Sequence, residues 1–358
     1  LFRSIEANDY NLNIPRYIQP ADTEICQDID AHLHGGIPKH DVEQLSAYWT
    51  VCPSLRSALF DETAERITLR TDKATIANVI AADHSFIEQK NHFSRSIKAW
   101  CDNMRPLFRG LTTNIKPKAL IEEWAQSLLD IMKEDKSLVD AYDAYQQLLT
   151  YWHDTLQDDC YIISHDGWKP TLLRGTKKTA TYEDMVCDLL PVGIVLNEYF
   201  ADELEEIATI TAERDEVAAE LQAMIDVVLD ESAEDDEDEI KALTDEVKKT
   251  KEYKAKDKVR KAIDKRLKEK KAALTEAVAA KYAAFTEAEV IDLVVEKKWI
   301  ATITTMIQSE MQQVTQRLTA NIAAIVERYE QTLSVIDAEV SDLEAKVNSH
   351  LAKMGFSL

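Results

Sequence analysis

The C-terminal part of the chain reads NIAAIVERYEQTLSVIDAEVSDLEAKVNSHLAKM over residues Asn321–Met354. Its apolar residues recur at intervals of three or four, the spacing that puts them on one narrow side of a helix. These residues, here called the apolar seam, are Ile322, Ile325, Tyr329, Leu333, Ile336, Val340, Leu343, Val347 and Leu351. The pattern predicts one long helix that ends near Gly355. Its seam needs a partner helix, either in this chain or in another.

The composition favours a mainly helical protein. The chain has 358 residues but only seven Gly and eight Pro, and it is rich in Ala, Glu, Lys and Leu. A chain of this length can bury a substantial core and is expected to form more than one unit. We therefore predict a mainly α fold: a helical domain with a minor short β-hairpin, plus long antiparallel coiled-coil-like helices.

The charge and the cysteines limit the classes of function. A formal net charge of −23 argues against nucleic-acid binding by bulk attraction, but it leaves room for a local basic face. No CxxC pair occurs, and the odd number of widely spaced thiols is typical of the reducing cytoplasm. No apolar run is long enough to cross a bilayer, and no signal peptide opens the chain. The five cysteines are Cys26, Cys52, Cys101, Cys160 and Cys187.

Composition divides the chain into three predicted segments. Residues 1–20 are expected to be the end of a preceding domain, because the first residue is Leu1 rather than Met. Residues 21–190 are predicted to form a helical domain with a small β element. Residues 191–358 are predicted to form a region of long helices, interrupted by an acidic and then basic insertion at 230–271.

Several shorter elements are predicted within the second segment. Gly35-Gly36 is expected to end one helix, and Asp41 is expected to cap the next. Alternation over Arg66–Arg70 predicts a short strand. Tyr161–Ile163 and Thr171–Leu173 flank a turn at Asp166-Gly167 and are predicted to pair as strands.

The third segment contains a second long amphipathic helix, predicted over Val195–Val228. This helix is a natural mate for the apolar seam, and the two would run antiparallel if the chain between them folds back. The seam residues could then belong to an internal core. The alternative is that the seam is an interface with another subunit.

The basic part of the insertion, Lys241–Lys271, has two interpretations. The first is a solvated helix stabilised by ion pairs between residues four apart. The second is an arm that contacts DNA phosphates, because the local charge balance is basic. The candidate DNA contacts are Lys248, Lys249, Lys251, Arg260 and Lys261.

The sequence gives no catalytic, cofactor or metal residue that we would assign. His32, His34 and His40 lack ligand spacing, since neighbours two apart on a helix point away from each other. Asp158-Asp159 and Asp166 lack the companion Glu-x-Lys pattern of a nuclease, so capping or turn roles are expected for them. An enzyme complete within this chain is rejected, because no nucleophile, carboxylate pair or cofactor loop converges.

Four blocks in order resemble a known family. They are NDYNLNIPRYI (Asn8–Ile18), HGGIPKHDVEQLSAYW (His34–Trp49), YQQLLTYWHDTLQDDCYIISHDGW (Tyr145–Trp168) and RYEQTLSVIDAEVSDLEAKVNSHLAKMGF (Arg328–Phe356). They resemble the C-terminal portion of the modification subunits of type I restriction–modification systems, which are N6-adenine DNA methyltransferases.

The chain departs from that family in one respect that affects its activity. It has no Asn-Pro-Pro-aromatic motif and no Gly-rich cofactor loop, and its only Gly pair is Gly35-Gly36. The resemblance therefore implies a catalytic domain upstream that binds S-adenosylmethionine in the parent subunit. This chain alone is expected to be inactive.

The resemblance also implies partners, namely the specificity subunit and the restriction subunit of the same system, with DNA held in the complex. Specificity subunits present long helices, to which the seam could dock. The predicted partner-binding residues are Leu333, Ile336, Val340, Leu343, Val347 and Leu351. The alternative function is an autonomous coiled-coil scaffold with no role in methylation.

Overall fold

The structure is a computed structural model that describes residues 27–63, 66–113, 115–134, 137–177, 179–232 and 237–354. Residues 1–20 and Cys26 lie outside these ranges, as do the side chains of the acidic run that follows Leu229. Contacts group the chain into two compact units. The first unit joins both ends of the chain, Leu1–Lys90 and Gln313–Leu358, and the second is the continuous stretch Asn91–Gln312. The three predicted segments were divided by composition instead, and they remain a prediction.

The first unit is built from short helices and one hairpin. In chain order its elements are α1 (Ile29–His34), α2 (Lys39–Glu43), α3 (Ser46–Val51), α4 (Pro53–Leu59), β1 (Phe60–Glu62), β2 (Ile67–Leu69), α5 (Ile76–Ala82), the start of α6 (His84–Arg109), the end of α15 (Ala301–Arg328) and α16 (Leu333–Lys353). Its core combines side chains from both ends of the chain. The largest fully buried ones include Leu55, Leu59, Ile67, Ile76 and Ile80, with Leu318 and Ile322 from the C-terminal part.

The hairpin confirms the strand predicted over Arg66–Arg70. Strand β2 pairs antiparallel with β1, with Phe60 opposite Leu69. Gly35 and Gly36 have positive φ angles of 78° and 87°, a conformation that strongly favours Gly, and they end α1 as predicted. Asp41 was predicted to cap α2, but it lies inside this helix, whose N-cap is Pro38.

The second unit contains the longer helices. Its elements are the rest of α6, α7 (Pro117–Glu134), α8 (Ala141–Tyr151), a π-helical segment (Trp152–Leu156), α9 (Gln157–Asp166), α10 (Val192–Tyr199), α11 (Ala201–Ser232), α12 (Glu237–Lys249), α13 (Lys251–Ala284), α14 (Glu287–Asp292), a second π-helical segment (Leu293–Ile300) and most of α15. A chain of edge-to-face aromatic contacts fills its centre. Phe108 packs against Trp124 at 4.8 Å and against Trp299 at 5.6 Å between ring centroids.

The fold class is confirmed: the described residues are mainly α-helical, with a single two-stranded hairpin. The predicted pairing of Tyr161–Ile163 with Thr171–Leu173 as strands was wrong. Tyr161–Ile163 belongs to α9, which Gly167 ends with a φ of 72°, and Leu173 forms an isolated bridge with Val186. A short run of aromatic and β-branched residues favours a strand only weakly, and here the packing of Cys160 and Ile163 into the core favours a helix.

The predicted mate of the apolar seam was also wrong. The Val195–Val228 stretch is divided between α10 and α11, and the long helix α11 packs along α13. Ion pairs follow this contact: Lys256 binds Glu220, while Arg266 and Lys270 both bind Glu206. The basic helix α13 therefore lies against the acidic helix α11, and the composition shift in the insertion reflects this pairing.

Candidate interaction surfaces

The apolar seam is divided into a buried part and an exposed part. Ile322, Ile325 and Tyr329 are 0%, 7% and 3% exposed and belong to the core of the first unit. The helix then ends at Arg328, and α16 starts at Leu333 with Thr332 as its N-cap. One continuous helix over Asn321–Met354 was therefore wrong, although the sequence between the two helices contains neither Gly nor Pro.

No residue of α16 is buried. The exposed fractions of its seam residues run from 38% to 59%, with Leu351 at an intermediate exposure. Val340, Leu343 and Val347 line a shallow depression together with Glu344 and Asn348. Such a contiguous apolar line on the surface is typical of an interaction site rather than of a solvated helix. The exposed seam residues are Leu333, Ile336, Val340, Leu343 and Val347.

The turn between α15 and α16 is fixed by contacts to the first elements of the chain. Arg328 donates to the buried Asp41 at 3.3 Å, and Lys73 pairs with Glu330 at 2.6 Å. The ring of His32 lies 5.0 Å from that of Tyr329. These contacts hold the turn that precedes α16, while α16 itself has no buried residue.

The predicted DNA contacts are partly neutralised within the chain. Asp257 binds both Arg260 and Lys261 at 2.7 Å, and Lys248 lies 4.0 Å from Asp245. The hydrogen bond from Lys261, which is the largest cause, and the hydrogen bonds from Arg260 hold the pKa of Asp257 below its usual range. Lys249 and Lys251 have no ion-pair partner among the described side chains. These contacts agree with the solvated-helix interpretation for the paired residues, and DNA binding stays a prediction.

Sequence reasoning missed one buried charged cluster. Lys298 lies in the second π-helical segment and is 7% exposed. Its amine donates to Asp159 at 2.7 Å, to the Asp188 carbonyl at 2.6 Å and to the Leu189 carbonyl at 3.1 Å. The Trp299 indole N–H also donates to Asp159, at 2.8 Å. Burial raises the pKa of Asp159, and the Lys298 charge opposes that rise.

This cluster lies between two open clefts, of about 700 Å³ and about 550 Å³, which share Thr155, Asp188 and Lys298. An ionisable pair at a cleft is a common feature of active sites. Here, however, all three donors of the Lys298 amine are used by the chain itself, and Asp159 accepts from two partners. The geometry therefore favours a structural clamp that holds residues 188 and 189 against the π-helical segment.

The histidine and carboxylate residues considered as metal ligands do not converge. Over the residues that the structure describes, no group of three or more His, Cys, Asp and Glu side chains is placed to hold a metal ion. His34 bonds Asp30, and His40 lies beside Asp41. No helix among the described residues has the length and hydropathy needed to traverse a lipid bilayer.

Comparison of the chain with models of protein families, with curated proteins and with solved structures finds no match.

Proposed function

We propose that this chain is an assembly module of a type I restriction–modification methyltransferase subunit, and that α16 docks a helix of the specificity subunit. The parent subunit would carry the S-adenosylmethionine site and the adenine chemistry upstream of this chain. The resemblance of four ordered blocks supports the family, and the exposed seam supports the docking role.

One observation carries the proposal. Five apolar side chains at heptad spacing stand 38–59% exposed on a helix that buries none of its residues. Leaving such a line in water is unfavourable by roughly 25 cal/mol per Å² of apolar surface. A partner helix would cover the line by the packing of coiled coils.

The charges beside the seam favour a partner that is not a second copy of this chain. In a parallel pair, Glu339 of one helix would face Glu344 of the other, a like-charge contact that opposes pairing. In an antiparallel pair, Glu339 of one copy would attract Lys346 of the other. Asp337 of one copy would however repel Glu344 of the other, which offsets that attraction. A helix with basic residues beside its own seam would instead attract Asp337, Glu339 and Glu344. The proposed occupant is therefore a basic-flanked helix of another subunit.

The test is a charge placed in the seam. Leu343→Asp should leave the stability of the free chain unchanged, because Leu343 is 59% exposed. In the complex, the loss of the Leu side chain from the interface costs roughly 2–5 kcal/mol of binding free energy. The unpaired charge of the Asp, buried against the partner helix, adds to that cost. The affinity for the specificity subunit should therefore fall by about 30-fold or more, measured by calorimetry or co-purification.

Two controls make the result specific. Ala345→Asp puts the same charge on the opposite, exposed side of α16 and should leave binding intact. Ile325→Asp puts it on the buried part of the seam and should lower the melting temperature. If Leu343→Asp binds the specificity subunit as tightly as the unmodified chain, the docking role is wrong. If Leu343→Asp instead dissolves a dimer of this chain, the scaffold alternative is correct.

A further inference from the structure

Helix α13 carries a line of lysines that the pairing with α11 does not use. The lysines recur at intervals of three and four, so they share one side of the helix over about 26 Å. All of them are exposed. This lysine stripe consists of Lys251, Lys254, Lys258, Lys261, Lys265 and Lys268.

The basic residues of α13 fall into two sets with different roles. Lys256, Arg266 and Lys270 pair with glutamates of α11. In the lysine stripe, Lys261 pairs with Asp257 and Lys265 lies 3.8 Å from Glu269. The other four lysines of the stripe have no ion-pair partner among the described side chains. The pairing of α11 with α13 thus accounts for the first set and leaves the stripe without an internal role.

The stripe occurs where the local charge opposes the charge of the whole molecule. Residues 251–268 hold nine basic and three acidic side chains, a net charge of +6, in a chain of −23. The rest of the molecule repels a polyanion, so contact with one requires a continuous local basic line such as this. Ala255 and Ala262 lie beside the lysines on this side, as does Asp257, which pairs with Lys261. The exposed Val259 lies farther round the helix. The stripe therefore offers no row of large apolar side chains that could enter a membrane or pack against another helix.

We propose that the lysine stripe of α13 binds the sugar–phosphate backbone of duplex DNA without reading its sequence. Lysines act as point charges for phosphates, and a row of them about 26 Å long can neutralise several phosphates along one strand. The stripe includes Lys251 and Lys261 from the DNA contacts predicted from sequence, and the other three contacts stay a prediction. The choice of DNA rests on the proposed function.

The experiment compares two variants of the full chain that lose the same charge. The stripe variant is Lys254→Gln/Lys258→Gln/Lys268→Gln, which breaks no ion pair of the described chain. The control variant is Lys116→Gln/Lys118→Gln/Lys169→Gln, at exposed positions away from α13 in sequence. Binding of a 30-base-pair duplex of random sequence is followed by fluorescence anisotropy over a range of salt concentrations.

The stripe variant should bind more weakly and depend less on salt. The slope of log K against log salt changes by roughly 0.9 for each lost phosphate contact, so by up to about 2.7 for three lysines. The control variant should keep the original slope. Equal losses in both variants would show that only net charge matters and would overturn the proposal, as would a lack of DNA binding at low salt.

Two further outcomes separate this proposal from its alternatives. If phosphatidylserine vesicles bind the stripe more tightly than DNA does, the partner is a membrane surface and the assignment to DNA is wrong. The seam variant Leu343→Asp should leave the salt slope unchanged. If Leu343→Asp still binds the specificity subunit while the stripe variant shows its reduced salt slope, only the proposed function is overturned. If Leu343→Asp loses docking while the stripe variant keeps the original salt slope, only the lysine stripe is overturned.

Discussion

Lys298 should be among the costliest single side chains to remove in the second unit. Replacing it by Met leaves the buried carboxyl group of Asp159 without its cation and accepting only from Trp299, and leaves the carbonyls of Asp188 and Leu189 without a donor. Breaking a buried pair in this way costs about 3–5 kcal/mol. Urea unfolding of Lys298→Met should show a loss of this size in the free energy of unfolding.

The neighbouring lysine provides the control for this prediction. Lys297 forms an ion pair with Glu198 at 2.8 Å, but its side chain is 51% exposed. Exposed pairs contribute about 0–1 kcal/mol, so Lys297→Met should stay within that range. Equal losses for the two variants would show that the Lys298 clamp is not a significant source of stability.

The sequence could not reveal this clamp. Asp159 was interpreted as a capping or turn residue, since a pair of aspartates near a Gly favours that role. Its partners lie about 140 residues further along the chain, and no periodic pattern connects such distant positions. By contrast, the burial of Trp299 has a local signal in the sequence, because this residue lies among apolar residues at helical spacing.

Glu289 should make the stability of the second unit depend on pH in acid. The backbone and side chain of Thr286 donate to this carboxylate at 2.9 and 2.8 Å, and Lys281 binds it at 3.2 Å. These contacts lower the pKa of Glu289 from 4.5 to about 2. A lowered pKa in the folded state adds stability above the unfolded pKa, and this is lost as the pH falls towards the folded pKa.

Glu289→Gln removes that contribution. The difference in the free energy of unfolding between this variant and the unmodified chain should be constant from pH 7 to pH 5. It should then shrink as the pH falls from about 4.5 towards about 2, measured by urea unfolding at several pH values. A difference that stays the same down to pH 3 would contradict the assigned hydrogen bonds.

At the scale of elements, α16 should be the least protected long helix of the free chain. Its 21 residues bury no side chain, and exposed helices of this length are only marginally stable in water. Hydrogen exchange of the free chain should therefore be fast over residues 336–353. Exchange over residues 314–328 of α15, where Leu318 and Ile322 are fully buried, should be much slower.

Binding of the partner should change this pattern in one place. If the specificity subunit covers the seam, protection should rise over α16 and stay the same over α15. Slow exchange of α16 in the free, monomeric chain would contradict the exposure of its seam.

The helices could be predicted from the sequence where one face of the helix is buried, because burial of one face produces a periodic apolar pattern. Heptad spacing indicated the residues of α16, but it did not show the break after Arg328. That break depends on tertiary contacts, Lys73 with Glu330 and Arg328 with Asp41, which bring together positions far apart in sequence. Periodicity also could not identify the helix that packs against α11, because both the apolar seam and α13 were available. The basic charges of α13 complement the acidic charges of α11, and this pairing is the one that forms.

At the scale of the whole molecule, composition predicted a mainly α fold but not how the chain is divided. Composition separates stretches by residue type, whereas a compact unit can combine both ends of a chain. The buried residues of the first unit show this, since Ile76 and Ile80 come from one end and Ile322 and Ile325 from the other.

This division predicts how fragments of the chain will fold. Residues 91–312 are continuous and hold their own aromatic core around Phe108, Trp124 and Trp299, so this fragment should fold alone. Residues 1–90 lack the side chains that α15 supplies, Leu318 and Ile322 among them, so they should stay unfolded.

Circular dichroism should show a cooperative urea transition for the fragment 91–312 and none for 1–90. Adding residues 313–358 in trans should restore helical signal to 1–90, because the two pieces share one core. A cooperative transition for 1–90 alone would show that its core does not depend on the C-terminal helices.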